Sequence, residues 1–219
     1  MTVFTDLVAA RDLTLTDPSL WTTPSEHALP NGDAGTRMNN ATSFGMSAIY
    51  NDTPRFFSIP WGVSDWTIEL WLRRVSAATI RDLMQYADAG GDTGMEWRIE
   101  TGNTLYRLLV YNSSGTVSVA SVPITSTDGA WAQYVWMINS SLGTGAESTR
   151  RVRTYKNGSF VADTAFTASF TPHTNVSPPR MILGTYGLVD ATQELAKVAI
   201  YHGELSAADV LDHYAAMTT

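Results

Sequence analysis

Carboxylates at alternate positions of one strand are how a sheet can present an acid and a nucleophile to the same cleft. The segment Glu96-Trp-Arg-Ile-Glu100 has that spacing. A strand sets residues 96, 98 and 100 on one face, but Arg98 fills the middle place and the two glutamates stand about 13 Å apart. Retaining glycosidases hold their carboxyls ~5–5.5 Å apart and inverting ones ~6.5–9.5 Å. The segment therefore reads as a charge ladder rather than a hydrolytic pair. No Gly-x-Ser-x-Gly elbow, lysine-bearing phosphate loop or His-Glu-x-x-His occurs. His27, His173, His202 and His213 are scattered singly, and the absence of cysteine removes thiol catalysis and thiolate metal sites. An enzyme is not expected.

Binding chemistry has more to stand on. Trp71 alternates with Glu69 and Arg73, so a flat ring and two flanking polar groups share a strand face. An aromatic wall with a few converging polar groups suits a carbohydrate. The same ring could instead cover an edge or sit beneath a loop. Trp97 and Tyr111 are further carbohydrate candidates. Calcium needs several oxygens converging from a tight turn. The turn Asp88-Ala-Gly-Gly-Asp-Thr93 makes Asp88 and Asp92 candidate ligands, although Asp and Gly are also ordinary turn formers. Trp21, among prolines, is a candidate anchor for a partner, or a ring folded back on its own domain.

The elements that must carry these residues are strands. In Trp66-Thr-Ile-Glu-Leu-Trp-Leu-Arg73, Trp66, Ile68, Leu70 and Leu72 take one side while Thr67, Glu69, Trp71 and Arg73 take the other. Similar alternation runs through residues 95–100, 106–111, 117–123, 132–139 and 152–155. Turn signals separate the runs, the sharpest being Asn157-Gly158, both of which tolerate the positive φ of a type I′ hairpin. Short strands at such spacing predict a sandwich or barrel. The stretch after Leu205 departs from this, with Ser206 as N-cap, Asp209 three residues on, and Val210, Leu211, Tyr214 and Met217 on one helical face. Residues 1–36 carry Pro18, Pro24 and Pro30 and read as an extended N-terminal arm, with one helical turn near residues 6–11. Residues 37–219 read as one domain.

Three blocks in order resemble the laminin-G-like (concanavalin A-like) jelly-roll family. The first is Ser47-Ala-Ile-Tyr-Asn-Asp52 through Phe56-Phe-Ser-Ile-Pro60, followed by Asp65-Trp-Thr-Ile-Glu-Leu-Trp-Leu72. The second is Gly129-Ala-Trp-Ala-Gln-Tyr-Val135 with Arg153-Thr-Tyr-Lys-Asn-Gly158. The third is Met181-Ile-Leu-Gly184, Glu194-Leu-Ala-Lys-Val-Ala-Ile-Tyr201 and Glu204-Leu-Ser-Ala-Ala-Asp209. The resemblance implies an all-β fold, a two-sheet antiparallel jelly-roll β-sandwich ending in a short helix. It implies no single activity, because the sandwich serves lectins, glycanases, adhesion modules and virion proteins.

Charge and composition narrow the partners. The chain has 219 residues, with 14 Lys and Arg against 21 Asp and Glu. That balance lacks the electrostatic footprint of nucleic-acid binding. No apolar run approaches the ~18 residues of a membrane span, so neither nucleic acid nor membrane is an expected partner. Six Asn-x-Ser/Thr sequons, at Asn40, Asn51, Asn112, Asn139, Asn157 and Asn175, are chance products of a Ser-, Thr- and Asn-rich surface. The N-terminal residues have no basic region, and Asp6 breaks their apolar stretch. These features favour a bacteriophage virion protein, a capsid decoration or tail-associated protein made in the host cytoplasm. Its expected partners are capsid or tail proteins and copies of itself, with glycan contacts on its surface. The alternative is an extracellular carbohydrate-binding or adhesion module.

Overall fold

In the computed structural model, residues 14–15, 21–22, 29–31, 36–38, 48–51, 65–74, 81–87, 93–99, 105–111, 114, 117–123, 129–139, 151–167, 180–183 and 193–219 are described. They form two seven-stranded sheets and one helix. The first sheet runs β1 (Thr14–Leu15), β4 (Ala48–Asn51), β13 (Arg180–Leu183), β6 (Arg81–Ala87), β7 (Thr93–Ile99), β8 (Leu105–Tyr111) and β9 (Val117–Pro123). The second runs β12 (Ser159–Ala165), β11 (Arg151–Lys156), β10 (Trp131–Asn139), β5 (Trp66–Arg74), β14 (Gln193–His202), β3 (Thr36–Met38) and β2 (Trp21–Thr22). All pairings are antiparallel. The two-sheet antiparallel jelly-roll sandwich that the family resemblance implies is the observed architecture.

Aromatic contacts identify the faces that meet. Trp66 of β5 lies edge-on to Trp97 of β7, with ring centroids 5.3 Å apart. Tyr106 of β8 lies 4.9 Å from Tyr134 and 5.9 Å from Trp136, both on β10. Each such pair adds about 0.5–1.5 kcal/mol beyond the area it buries. Trp66, Ile68, Leu70 and Leu72 therefore point between the sheets. They share this core with Tyr134, Trp136, Trp97, Tyr106 and Leu108, all buried.

The other face of β5 and β10 is covered by a third layer, α1 (Ala207–Ala216). Val210 and the partly buried Leu205 pack against Val135, Met137 and Tyr155. Tyr214 and Met217 pack with Trp131 against Trp71, Ala196 and Leu29. A strand clothed on both faces reads as continuously buried, and residues 66 to 72 are all buried. Leu211, expected on the docked face, is instead 54% exposed. One residue along a helix turns the side chain by about 100°, which carries Leu211 from beneath Val210 to the flank.

Local chemistry sets the ends of these elements. Ser206 caps α1 by accepting from the Asp209 N–H, and the Asp209 carboxylate accepts from the Ser206 N–H. Asn157 and Gly158 join β11 to β12 with φ of 50° and 74°, as a type I′ turn requires. Within the segment read as an arm, β1 pairs with β4 and β2 with β3, while Asn31 donates its N–H to the Met217 carbonyl at 3.1 Å. Its described parts are woven into both sheets. The helical turn expected near residues 6–11 lies outside the described residues.

Candidate functional site

Two outer faces could meet a ligand, and the sequence placed its main candidates on that of the second sheet. The structure closes this face. Trp71 is only 1% exposed, and the Tyr214 ring lies parallel to it, 5.8 Å away and tilted by 4°. The tyrosine occupies the position a stacked sugar would need, so the carbohydrate reading of Trp71 is corrected to a covered core ring. Glu69, also expected at a sugar, is buried beneath the helix. Its Oε1 accepts from Gln133 Nε2 at 2.6 Å, and its Oε2 accepts from the Tyr201 hydroxyl at 3.2 Å and faces His213 Nδ1 at 2.8 Å. Burial first, then the charge and hydrogen bond of Glu69, hold the Tyr201 phenol well above its ordinary pKa. Arg73 pairs through Nη1 with the fully buried Glu194 at 2.8 Å and donates through Nε to the Gly129 carbonyl at 2.8 Å. Trp71 and Glu69 tie the helix to the second sheet, and Arg73 ties β5 to β14 and to the turn before β10.

Trp97 is likewise corrected from surface to core. It is buried against Trp66 because its alternation partner Met95 is an inward residue, 0% exposed. Its neighbours Glu96 and Arg98 fall on the opposite, outer face of the first sheet. There the register sets Glu96 across from Leu109 and Arg98 across from Arg107. Both oxygens of Glu96 are engaged: Oε1 accepts from Arg98 Nε at 2.9 Å and also from its Nη2, and Oε2 accepts from the Tyr111 hydroxyl at 2.8 Å. On the far side, the β6 register sets Gln85 across from Glu96 and Asp82 across from Arg98.

Tyr111 is thus brought together with Glu96 and Arg98, not with Trp71. A carboxylate with both oxygens taken fixes the direction of a tyrosine and an arginine; it is poorly placed to shuttle protons. The partly exposed Tyr111 ring and Arg98 guanidinium are what this face can offer a ligand, while Glu96 and its register partner Leu109 are buried. Glu100, Asp88 and Asp92 lie outside the described residues, and so does the Trp21 side chain; β2 itself is the terminal strand of the second sheet. Among the described residues, no three His, Asp or Glu side chains gather as metal ligands.

Sequence reasoning missed Gln133, Tyr201 and His213, which surround Glu69. The available signal was that Gln133 interrupts the apolar run of β10 on the same face as Glu69, directly opposite Trp71 in the register. A buried amide on a face carrying a carboxylate calls for a shared hydrogen bond.

An all-β sandwich of two antiparallel sheets with a closing helix is the lectin-like class of fold. The chain matches the concanavalin A-like lectin/glucanases superfamily over residues 47–211, and it belongs to that family. Comparison with curated proteins finds no match. Among solved structures, the binding domain of Paraclostridial Mosquitocidal Protein 1 is similar at a TM-score of 0.64 and 14% identity, covering 96% of this chain and 48% of that one. The botulinum neurotoxin serotype D binding domain gives 0.65 and 10%, covering 98% and 50%. A structure of botulinum neurotoxin type C, whose access to cells depends upon interaction with two ganglioside molecules, gives 0.61 and 9%, covering 84% and 42%. The chain spans about half the length of these structures, and at such identities the likeness is one of fold.

Proposed function

We propose that the chain is a non-enzymatic recognition module that contacts glycans through the outer face of the first sheet. Its proposed setting is the surface of a bacteriophage virion, as a capsid decoration or tail-associated protein. The observation that carries the glycan reading is the fixed Tyr111, held by Glu96 and Arg98 on the sandwich face that α1 does not roof. The family assignment supports it, as does the ganglioside dependence stated for the type C neurotoxin with the same fold. The engaged carboxylate of Glu96 supports binding over hydrolysis. The virion setting rests on the residue-level reading of the chain, and an extracellular adhesion module is the second reading, favoured by the toxin binding domains.

A glycan array probed with the full chain, with calcium and with chelator, tests the binding surface. Tyr111→Ala is expected to lose binding about tenfold or more, a loss of about 1.4 kcal/mol in affinity, while the chain still folds cooperatively, with a melting temperature lowered by the donor that the buried Glu96 loses. Binding equal to wild type in that variant, or no glycan bound at all, refutes the site. Size fractionation of the native source followed by peptide mass spectrometry tests the setting. Migration with very large particles supports the virion, and migration as a small species refutes it.

A further inference from the structure

The chain holds two Asn-Gly dipeptides, Asn31-Gly32 and Asn157-Gly158, and the second is also a sequon. Asn-Gly is the sequence most prone to spontaneous deamidation, because glycine leaves the following amide nitrogen open to attack the asparagine carboxamide. We propose that Asn157-Gly158 is a latent deamidation site that Gln133 keeps shut. The nucleophile and the electrophile are both held. The Gly158 N–H donates to Gln133 Oε1 at 3.0 Å, and Asn157 Oδ1 accepts from the Gln133 N–H at 2.9 Å. A third bond, from the Asn157 N–H to the Gln133 carbonyl at 3.0 Å, locks the turn to β10. Gln133 is itself buried and clamped by Glu69, so the restraint does not relax locally.

The reaction gives a defined product. Base, hydroxide or buffer, takes the Gly158 amide proton; the nitrogen bonds to the Asn157 carboxamide carbon, and the side-chain nitrogen departs as ammonia. Water then opens the cyclic imide to aspartate or isoaspartate. Isoaspartate inserts one methylene into the backbone before Gly158. That residue has little room, since a Cβ there would stand 3.0 Å from Leu211 Cδ1 and 3.3 Å from Tyr214. Modification would push the turn into α1 and loosen the helix.

The test incubates the full chain at mildly alkaline pH, folded and in urea, and follows the tryptic peptide spanning residues 157–180 by mass, with isoaspartate resolved chromatographically. The peptide containing Asn31-Gly32 is the internal reference. The folded chain is expected to react at Asn157 about tenfold or more slowly than the unfolded chain, because reaction requires local opening. Gln133→Ala, if folded, frees the Gly158 N–H while the two main-chain bonds of residue 133 to Asn157 stay, and is expected to raise the folded rate part of the way toward the unfolded one. Equal rates at Asn157 in folded and urea-unfolded wild type overturn the proposal. A folded Gln133→Ala that reacts as slowly as wild type overturns it too. Should the variant not fold, the wild-type comparison decides alone.

Discussion

Glu69 separates a ligand contact from an anchor, and Glu69→Ala decides between them. The carboxylate is 5% exposed and meets Gln133, Tyr201 and His213. Removing it leaves the Gln133 side-chain N–H, on a residue with no exposure, only the Val210 carbonyl at 3.5 Å. An orphaned buried donor costs about 1–3 kcal/mol, and truncating the side chain adds about 1 kcal/mol for the space it leaves. Tyr201 and His213 are partly exposed and recover hydration, so they add little. The expected loss is about 3 kcal/mol, near the low end for breaking a buried pair. At about 2–4 °C per kcal/mol for a chain of this size, the melting temperature falls by about 6–12 °C. Calorimetry at neutral pH reads it, with His213→Ala as the control. That side chain is 37% exposed, so its loss is expected to cost no more than about 1 kcal/mol. A Glu69→Ala variant melting within about 2 °C of wild type would refute the anchoring argument.

Two further outcomes follow from the helix and its surroundings. The Tyr201 phenol titrates above its ordinary 10.0 in the fold, so the unfolded chain ionises first. Its contribution is complete below roughly pH 10 and lost as pH rises toward the folded value, and Tyr201→Phe should melt with a shallower alkaline slope than wild type. Equal slopes above pH ~10 contradict this. Ser206→Ala removes the cap of α1 and is expected to cost about 1 kcal/mol. Hydrogen bonds from Ser206 hold the Asp209 carboxyl below its ordinary 3.8, so its part in the cap is present above that value and lost as pH falls further. The stability gap between wild type and Ser206→Ala should narrow in acid; a constant gap down to pH ~2 would disprove the coupling.

What could be read from the residues was local. The alternation of β5, the positive φ at Asn157 and Gly158 and the reciprocal bonds of Ser206 and Asp209 each depend on residues a few positions apart. Trp97 was legible too, for Met95, Trp97 and Ile99 form one apolar row, and placing the tryptophan on a binding face set it against its own period. The covering of Trp71 was not legible. Period-two patterning separates the faces of a strand but says nothing of what is laid on each. The layer here arrives from Tyr214 and from Leu29. Glu69 and His213 likewise meet across 144 residues, a separation at which no spacing rule operates. Tyr111 was picked for its type, and its tie to Glu96 came from the turn of one hairpin.

The tryptophan count changes meaning once the third layer is in place. Of the seven tryptophans, Trp71 and Trp97 first read as stacking platforms. Of the five whose side chains are described, Trp66, Trp71, Trp97 and Trp136 are 2% exposed or less, and Trp131 packs into the cluster around Trp71. They fill two interfaces, one between the sheets and one beneath α1, where large rigid rings bury much area at little entropic cost. A sandwich that spends its indoles on two cores must recognise a sugar with other groups. On the outer face of the first sheet, Tyr111 is the described aromatic with a hydroxyl already oriented. Substitution at the buried tryptophans should therefore register as lost stability, and substitution at Tyr111 as lost recognition.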